Sequence, residues 1–221
     1  MAVGRSARER ARADITQEIK DEARAQLRVD GPHGLSLRSV ARALGFAPSA
    51  LYRYFPSRDD LLTALIIDAY DAMGEAAERA DDPTEPPFQR WRRVGHAVHA
   101  WARENRAEYI LIYGSPVPGY QAPQDTVAPA SRVPKVLVGI AEQARDSALP
   151  PLLGDQMTRT AAVLGSGIAP GALARVIAAW TQLLGMISFE LFGQFTGTVE
   201  PADELLDTVL RRQALDIGLP A

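Results

Sequence analysis

The chain has 221 residues, 47% apolar and 23% charged, which suits a globular protein with room for one large domain or a small one and a larger one. It has no cysteine, which excludes disulfides and thiol catalysis and points to a reducing cytoplasm. The net charge of −3 hides an asymmetry: residues 1–58 carry 11 Lys and Arg against 6 Asp and Glu, and residues 59–221 carry 13 against 21, so a phosphate-bearing partner would meet only the basic end.

Arg5, Arg8, Arg10 and Arg12 precede no apolar run, so a signal peptide is not expected. Residues 1 to about 12 are read instead as a flexible basic arm, either idle or reaching a minor groove or phosphates. Ile15, Ile19, Ala23 and Leu27 then predict a helix over 13–30, ended by Gly31-Pro32. Leu37, Val40, Ala41 and Leu44 predict a short helix capped by Ser36 and stopped by Gly45. A second short helix begins at Pro48, carries Leu51 and Phe55 inward, and ends at Pro56. Two short helices about a glycine turn make a helix-turn-helix whose second helix offers Ser49, Tyr52, Arg53 and Tyr54 to solvent. Ser57 and Asp60 form a capping box for a longer helix, Arg58 to about Ala80, whose Leu61-to-Met73 stripe serves two domains. The Pro-rich stretch 81–87 breaks the chain there.

No later segment alternates like a strand, so the remainder is read as helical: about 88–105, 107–113, 134–147, 151–165, 169–192, and a last helix from near Pro201. A Pro/Gly-rich loop follows Tyr113 and is read as the mouth or lid of a pocket. The apolar stretches flanking Arg175 are each interrupted by charge, so no membrane span is expected.

The segment LSLRSVARALGFAPSALYRYFPSRDDLLTAL, residues 35–65, resembles the DNA-binding signature of the TetR family of bacterial transcription regulators. AWTQLLGMISFELFG, residues 179–193, is similar to the WHG type of C-terminal domain in that family, with Leu184 where that type has histidine, so the histidine's role does not carry over. In a helix-turn-helix the start of the second helix lies nearest the bases, which selects Pro48, Ser49 and Arg53, with the Ala50 methyl available to a thymine. The resemblance implies a base contact for Arg38 and phosphate contacts for Ser36, Tyr52, Tyr54 and Arg58.

In the second half, Trp91, His99, Trp101, Tyr109, Tyr113, Trp180, Met186 and Phe189 are expected around a pocket for a small-molecule effector, a reading that rests mainly on the family. His96 and His99 lie three residues apart, but nothing completes a metal site, and His96 is expected nearly opposite the apolar face. Gly165–Gly171 lacks the strands a dinucleotide fingerprint needs and reads as a break before a long helix. That helix and the last one are apolar on more than one side, which argues for a second copy of the chain.

The expectation is therefore an all-α protein. Residues 1–60 form a three-helix helix-turn-helix domain, joined by a shared helix to a helical ligand-binding and dimerisation domain, 61–221. Its function would be a cytoplasmic, homodimeric, ligand-responsive repressor that binds double-stranded DNA at a palindromic operator, without cofactor, metal or membrane. An activator or dual regulator of the same fold is the alternative. A helical enzyme or scaffold with a vestigial helix-turn-helix is disfavoured, since the sequence offers no nucleophile-base-acid set.

Overall fold

The computed structural model describes residues 7–220; among these it is built from eleven α-helices and one 3-10 turn, with no strand. Met1–Ser6, including Arg5 of the expected arm, lie outside the described residues. The chain forms two compact units. One holds residues up to Ala69 together with Arg106–Thr126, and the other holds Tyr70–Asn105 and everything from Val127. The first unit is thus discontinuous, and it extends past the boundary at 60 expected from the sequence.

The first unit begins with α1 (Ala7–Gly34). Residues 7–12, expected as a flexible arm, are its first turns, and Arg12 among them touches the Tyr54 ring and Arg53 O. Gly31 takes φ +67°, open to glycine without a Cβ clash, and kinks the helix where the sequence expected it to stop. The helix α2 (Leu37–Ala43) is capped by Ser36, whose Oγ accepts from Ser39 N at 3.5 Å. Gly45 at φ +70° turns the chain, and Phe46 N–H closes back on Ala41 O at 2.8 Å.

The helix α3 (Pro48–Leu51) is only four residues long. The chain then continues in tight turns, Tyr54 N–H to Leu51 O at 2.9 Å and Arg53 N–H to Ala50 O at 3.3 Å, rather than as the helix to Pro56 expected from spacing. Phe55 N–H still reaches Leu51 O at 3.0 Å, and Pro56 then stops any further helix, since it disfavours the helical region for Phe55.

Leu51, Val40, Ala41, Ile19, Leu61 and Leu62 have 0% exposure and form the unit's core. Each large side chain contributes roughly 1.5–3 kcal/mol by leaving water. The helix α4 (Arg58–Ala80) closes this core with its first half; Ser57 Oγ accepts from Asp60 N at 3.1 Å, as the capping box predicts. Asp68 locks it to α1 through Lys20 at 2.8 Å and Arg24 at 2.5 Å. The helix α6 (Arg106–Tyr113) packs on α1 and buries Tyr109 completely. The loop beyond it also belongs to this unit, with Tyr120 OH 2.9 Å from Thr63 Oγ1 and Val117 buried. The expected pocket mouth is thus instead a brace for α4.

The second unit takes the rest of α4 and then α5 (Pro87–Glu104), which packs on α11 (Asp203–Ile217). The fit is close because position 95 is glycine: a Cβ there would collide with the methyl groups of Leu210. The short α7 (Val127–Ala130) leads into α8 (Arg132–Ile140), which stops well before the expected Ser147. Beyond it Asp146 lies outside a helix, where its Oδ1 takes the Gly171 N–H at 2.8 Å and satisfies the start of α10 (Pro170–Leu191). The helix α9 (Pro151–Leu164) ends at Gly165 in a left-handed cap, so the glycine-rich stretch is a helix break, as expected.

At 22 residues, with an 18-residue stretch of mean hydropathy 1.4, α10 is long and apolar enough to cross a membrane, contrary to the sequence reading. Two charges within it do not prevent this by composition. Here it packs on α5, α8, α9 and α11 as the central helix of the unit, burying Leu173, Val176, Leu183 and Ile187.

Candidate DNA-binding surface

The two short helices divide their residues cleanly. Val40, Ala41, Leu51 and Phe55 point into the core, while Arg38, Pro48, Ser49, Tyr52 and Arg53 are exposed; Ala50, Ser36 and Tyr54 are half-buried at the margin. Burial of one set fixes the orientation of the other, so rigid packing presents hydrogen-bonding groups to solvent. Arg38, Ser49 and Tyr52 make no ion pair or side-chain hydrogen bond among the described residues, which leaves their donors available.

Two expected residues behave differently. Arg58 is turned inward: its Nε donates to Leu35 O at 2.9 Å and its Nη2 to Pro32 O at 2.8 Å. It holds the kinked end of α1 against α4, and the carbonyls freed by the Gly31 kink are the physical reason. Tyr54 lies under Arg12, with the guanidinium carbon 5.6 Å from the ring centroid, and Arg12 Nη2 also reaches Arg53 O at 3.4 Å. Sequence reading missed this link, because 41 residues separate Arg12 from Arg53 and no periodicity connects them.

The residues expected around an effector are spread over both units. Tyr109 and Tyr113 meet within the first unit with ring centroids 5.3 Å apart and planes tilted by 42°. In the second, Trp91 is core: it is 1% exposed and its Nε1–H donates to Gln213 Oε1 at 3.2 Å. Trp101 is buried, Trp180 and Met186 are half-buried, and Phe189 is 55% exposed, packing on Phe195 at 5.7 Å. Phe189 is therefore a surface residue; its place on α10 faces away from the Leu183–Ile187 stripe.

His99 is buried, and its Nε2 lies 2.6 Å from Glu190 Oε2, a partner that sequence spacing did not suggest. Arg103 bridges Glu190 and Asp203, beside a cleft of about 200 Å³ lined by Arg103, Glu190, Phe195, Val199, Ala202 and Asp203. His96, expected opposite the packed face, meets α11 instead, with Nε2 3.1 Å from Asp207 Oδ1. Burial pushes the Asp207 carboxyl up, but hydrogen bonds from Arg211, Arg92 and His96, with the Arg92 charge, outweigh it and hold the group well below the usual carboxylate range. Likewise Arg132 is held charged by the hydrogen bonds it donates to Glu78 and Asp71, and it crosses α4 over Gly74, where a Cβ would lie 2.7 Å from its own Cβ.

Comparison with known proteins gives the same picture from outside. Residues 19–65 match the family described as bacterial regulatory proteins, tetR family, and residues 91–213 match the tetracyclin repressor-like C-terminal domain. The chain is 37% identical over 198 residues to the HTH-type transcriptional regulator Rv1816 of Mycobacterium tuberculosis, covering 84% of each. It is 41% identical over 59 residues, 27% of its length and 31% of the relative's, to the HTH-type transcriptional repressor LfrR of Mycolicibacterium smegmatis. Among solved structures, the regulatory protein SCO4313 superposes with TM-score 0.82 at 34% identity over 94% of this chain and 98% of that one. PfmR from Thermus thermophilus shares the fold, with TM-score 0.57 at 20% identity over 88% and 96%.

Proposed function

The chain belongs to the TetR family of bacterial transcription regulators, and we propose, from that premise, that it is a ligand-responsive repressor that binds a palindromic operator in the cytoplasm as a homodimer. It is a DNA-binding transcription regulator and not an enzyme. The observation that carries the finer reading is the set of unpaired polar side chains on α2 and α3, held outward by a fully buried opposite face. Arg38 and Ser49 supply base contacts, and Ser36 and Tyr52 supply phosphate contacts. A relative named a repressor, LfrR, supports the sign of regulation over the 59 residues it shares.

Dimerisation uses the outer faces of α10 and α11, where Ile177 and Leu215 are exposed, with Phe192 exposed just past the end of α10. A pair related by a two-fold axis binds half-sites about one helical turn (~34–36 Å) apart. The effector is a small molecule sensed in the second unit, and its binding biases α4, the helix that contributes to both units, toward a state with lower operator affinity. A coupling of ~1–3 kcal/mol changes that affinity about 5–150-fold. The test is selection of bound duplexes from random oligonucleotides, followed by a screen for molecules that release the selected DNA. Enrichment of an inverted repeat is expected; failure to enrich any sequence overturns the proposal.

A further inference from the structure

A notch of about 210 Å³ lies beside the recognition turn, lined by Arg8, Arg12 and Arg53 with Ala11, Ile15 and Tyr54 as its apolar wall. Three arginine side chains thus line one notch from two elements that are far apart in sequence. None of the three has a carboxylate partner among the described residues, although the chain pairs many of its other arginines. Like charges brought together in this way repel unless an anion joins them.

Arg12 is not loose. Its cation rests on the Tyr54 face at 5.6 Å and one of its five donors reaches Arg53 O at 3.4 Å, so it is fixed in place with most of its donors unspent. Guanidinium forks match the oxygens of a phosphate, and a pre-positioned fork loses little entropy on binding.

We infer that Arg8, Arg12 and Arg53 form a slot for one phosphate of the DNA backbone flanking the groove that α3 enters, with Tyr54 as the positioning residue beneath it. This rests on the DNA-binding reading of α2 and α3. It assigns Arg53, which the sequence placed at a base edge, to the backbone, and leaves base discrimination to Arg38 and the start of α3. It also gives the N-terminal turns of α1 a fixed contact in place of a wandering arm. The ring of Tyr54, rather than its hydroxyl, performs its part.

Phosphate contacts and base contacts separate experimentally, because the first set the salt dependence of binding and the second set sequence preference. The experiment measures log K against log salt for the full-length protein on a selected duplex and on single-base variants of it. Each phosphate contributes a slope of about 0.9, so a dimer that loses both slots should show a slope shallower by roughly 2. Arg12→Ala and Arg53→Ala should each show this, with the same fold-loss on every duplex. Arg12→Lys, which keeps the charge, and Tyr54→Phe, which keeps the ring, should hold the slope near wild type. Arg79→Ala, which removes an exposed arginine from the second unit, controls for net charge and should change nothing.

Thermal melting of each variant separates a folding defect from a binding one. Wild-type slope in Arg12→Ala and Arg53→Ala overturns the slot while leaving DNA binding intact, as does a loss in Arg53→Ala confined to one base pair. A wild-type protein with no duplex preference at all would instead sink the DNA reading itself.

Discussion

Trp91 and Gln213 stand 122 residues apart in the chain and meet in the interior of the second unit, indole N–H to amide oxygen at 3.2 Å. The same amide donates to Ala179 O at 3.0 Å and Gln182 Oε1 at 2.9 Å, so one side chain ties α5, α10 and α11 together. Gln213→Leu keeps the volume but strands the buried indole donor. Unfolding in urea, followed by tryptophan fluorescence, should show a loss of ~1–3 kcal/mol. An unchanged midpoint would mean that the bond adds nothing to stability.

The contact between Gly95 and Leu210 makes a double-mutant prediction. Gly95→Ala gains about 1 kcal/mol of helix propensity but overpacks against Leu210 by roughly 1–3 kcal/mol, so a net destabilisation is expected. Leu210→Ala alone should cost ~2–5 kcal/mol by leaving a cavity. In the double variant the new methyl occupies part of that space. Its cost should fall short of the two single costs added together, and strict additivity in denaturant melts would refute the packing.

Asp207 makes stability depend on acid. Its folded pKa lies below its unfolded value, near 4, so its contribution is present above about pH 4 and is lost as pH falls further. At pH 7, Asp207→Asn should be less stable than wild type by ~1–3 kcal/mol. The gap should narrow as pH drops from 5 toward 2, measured as urea midpoints for both proteins. A constant gap across that range would contradict the Arg92, Arg211 and His96 pairing.

Arg38 and Arg58 should respond oppositely to loss of their side chains. Arg38 is exposed and unpaired, so Arg38→Ala should move the melting free energy by no more than ~0.5 kcal/mol while relaxing preference at one base pair of the operator by ~1–3 kcal/mol. Arg58 holds the Pro32 and Leu35 carbonyls, so Arg58→Ala should cost ~1–3 kcal/mol of stability. Parallel calorimetry and competition binding distinguish the two. A destabilised Arg38→Ala protein would remove Arg38 from the free surface.

Ile177 and Leu215 test the assembly. Each is exposed on an otherwise packed helix, so the pair Ile177→Glu and Leu215→Glu should leave the fold intact and shift sedimentation from dimer to monomer. Unaltered sedimentation of a dimer would place its interface elsewhere.

The sequence was legible where structure is written locally. Ser36, Gly45, Pro48 and the Ser57–Asp60 box mark their turns and caps by short-range chemistry, and the core residues Leu37, Val40 and Leu51 follow from helical spacing. It was illegible where a residue's partner lies far along the chain. Nothing near Arg58 announces the carbonyls of Pro32 and Leu35, nothing near His99 announces Glu190, and nothing near Tyr54 announces Arg12. Helix α8 was overextended, and spacing cannot see that Asp146 serves the first turn of α10. The effector residues fared worst: aromatic side chains mark core and pocket alike, and Trp91 proved to be core.

The discontinuity of the first unit has a consequence for how the protein is made. Its helix-turn-helix is finished in sequence by residue 56, yet α1 needs α6 against it and Thr63 needs Tyr120. A nascent chain leaving the ribosome therefore carries a reading head whose core α4 has closed but whose α1 lacks α6 until the chain has been made to Thr126, after all of α5. A chain ending before that point leaves α1 without α6 and Thr63 without Tyr120.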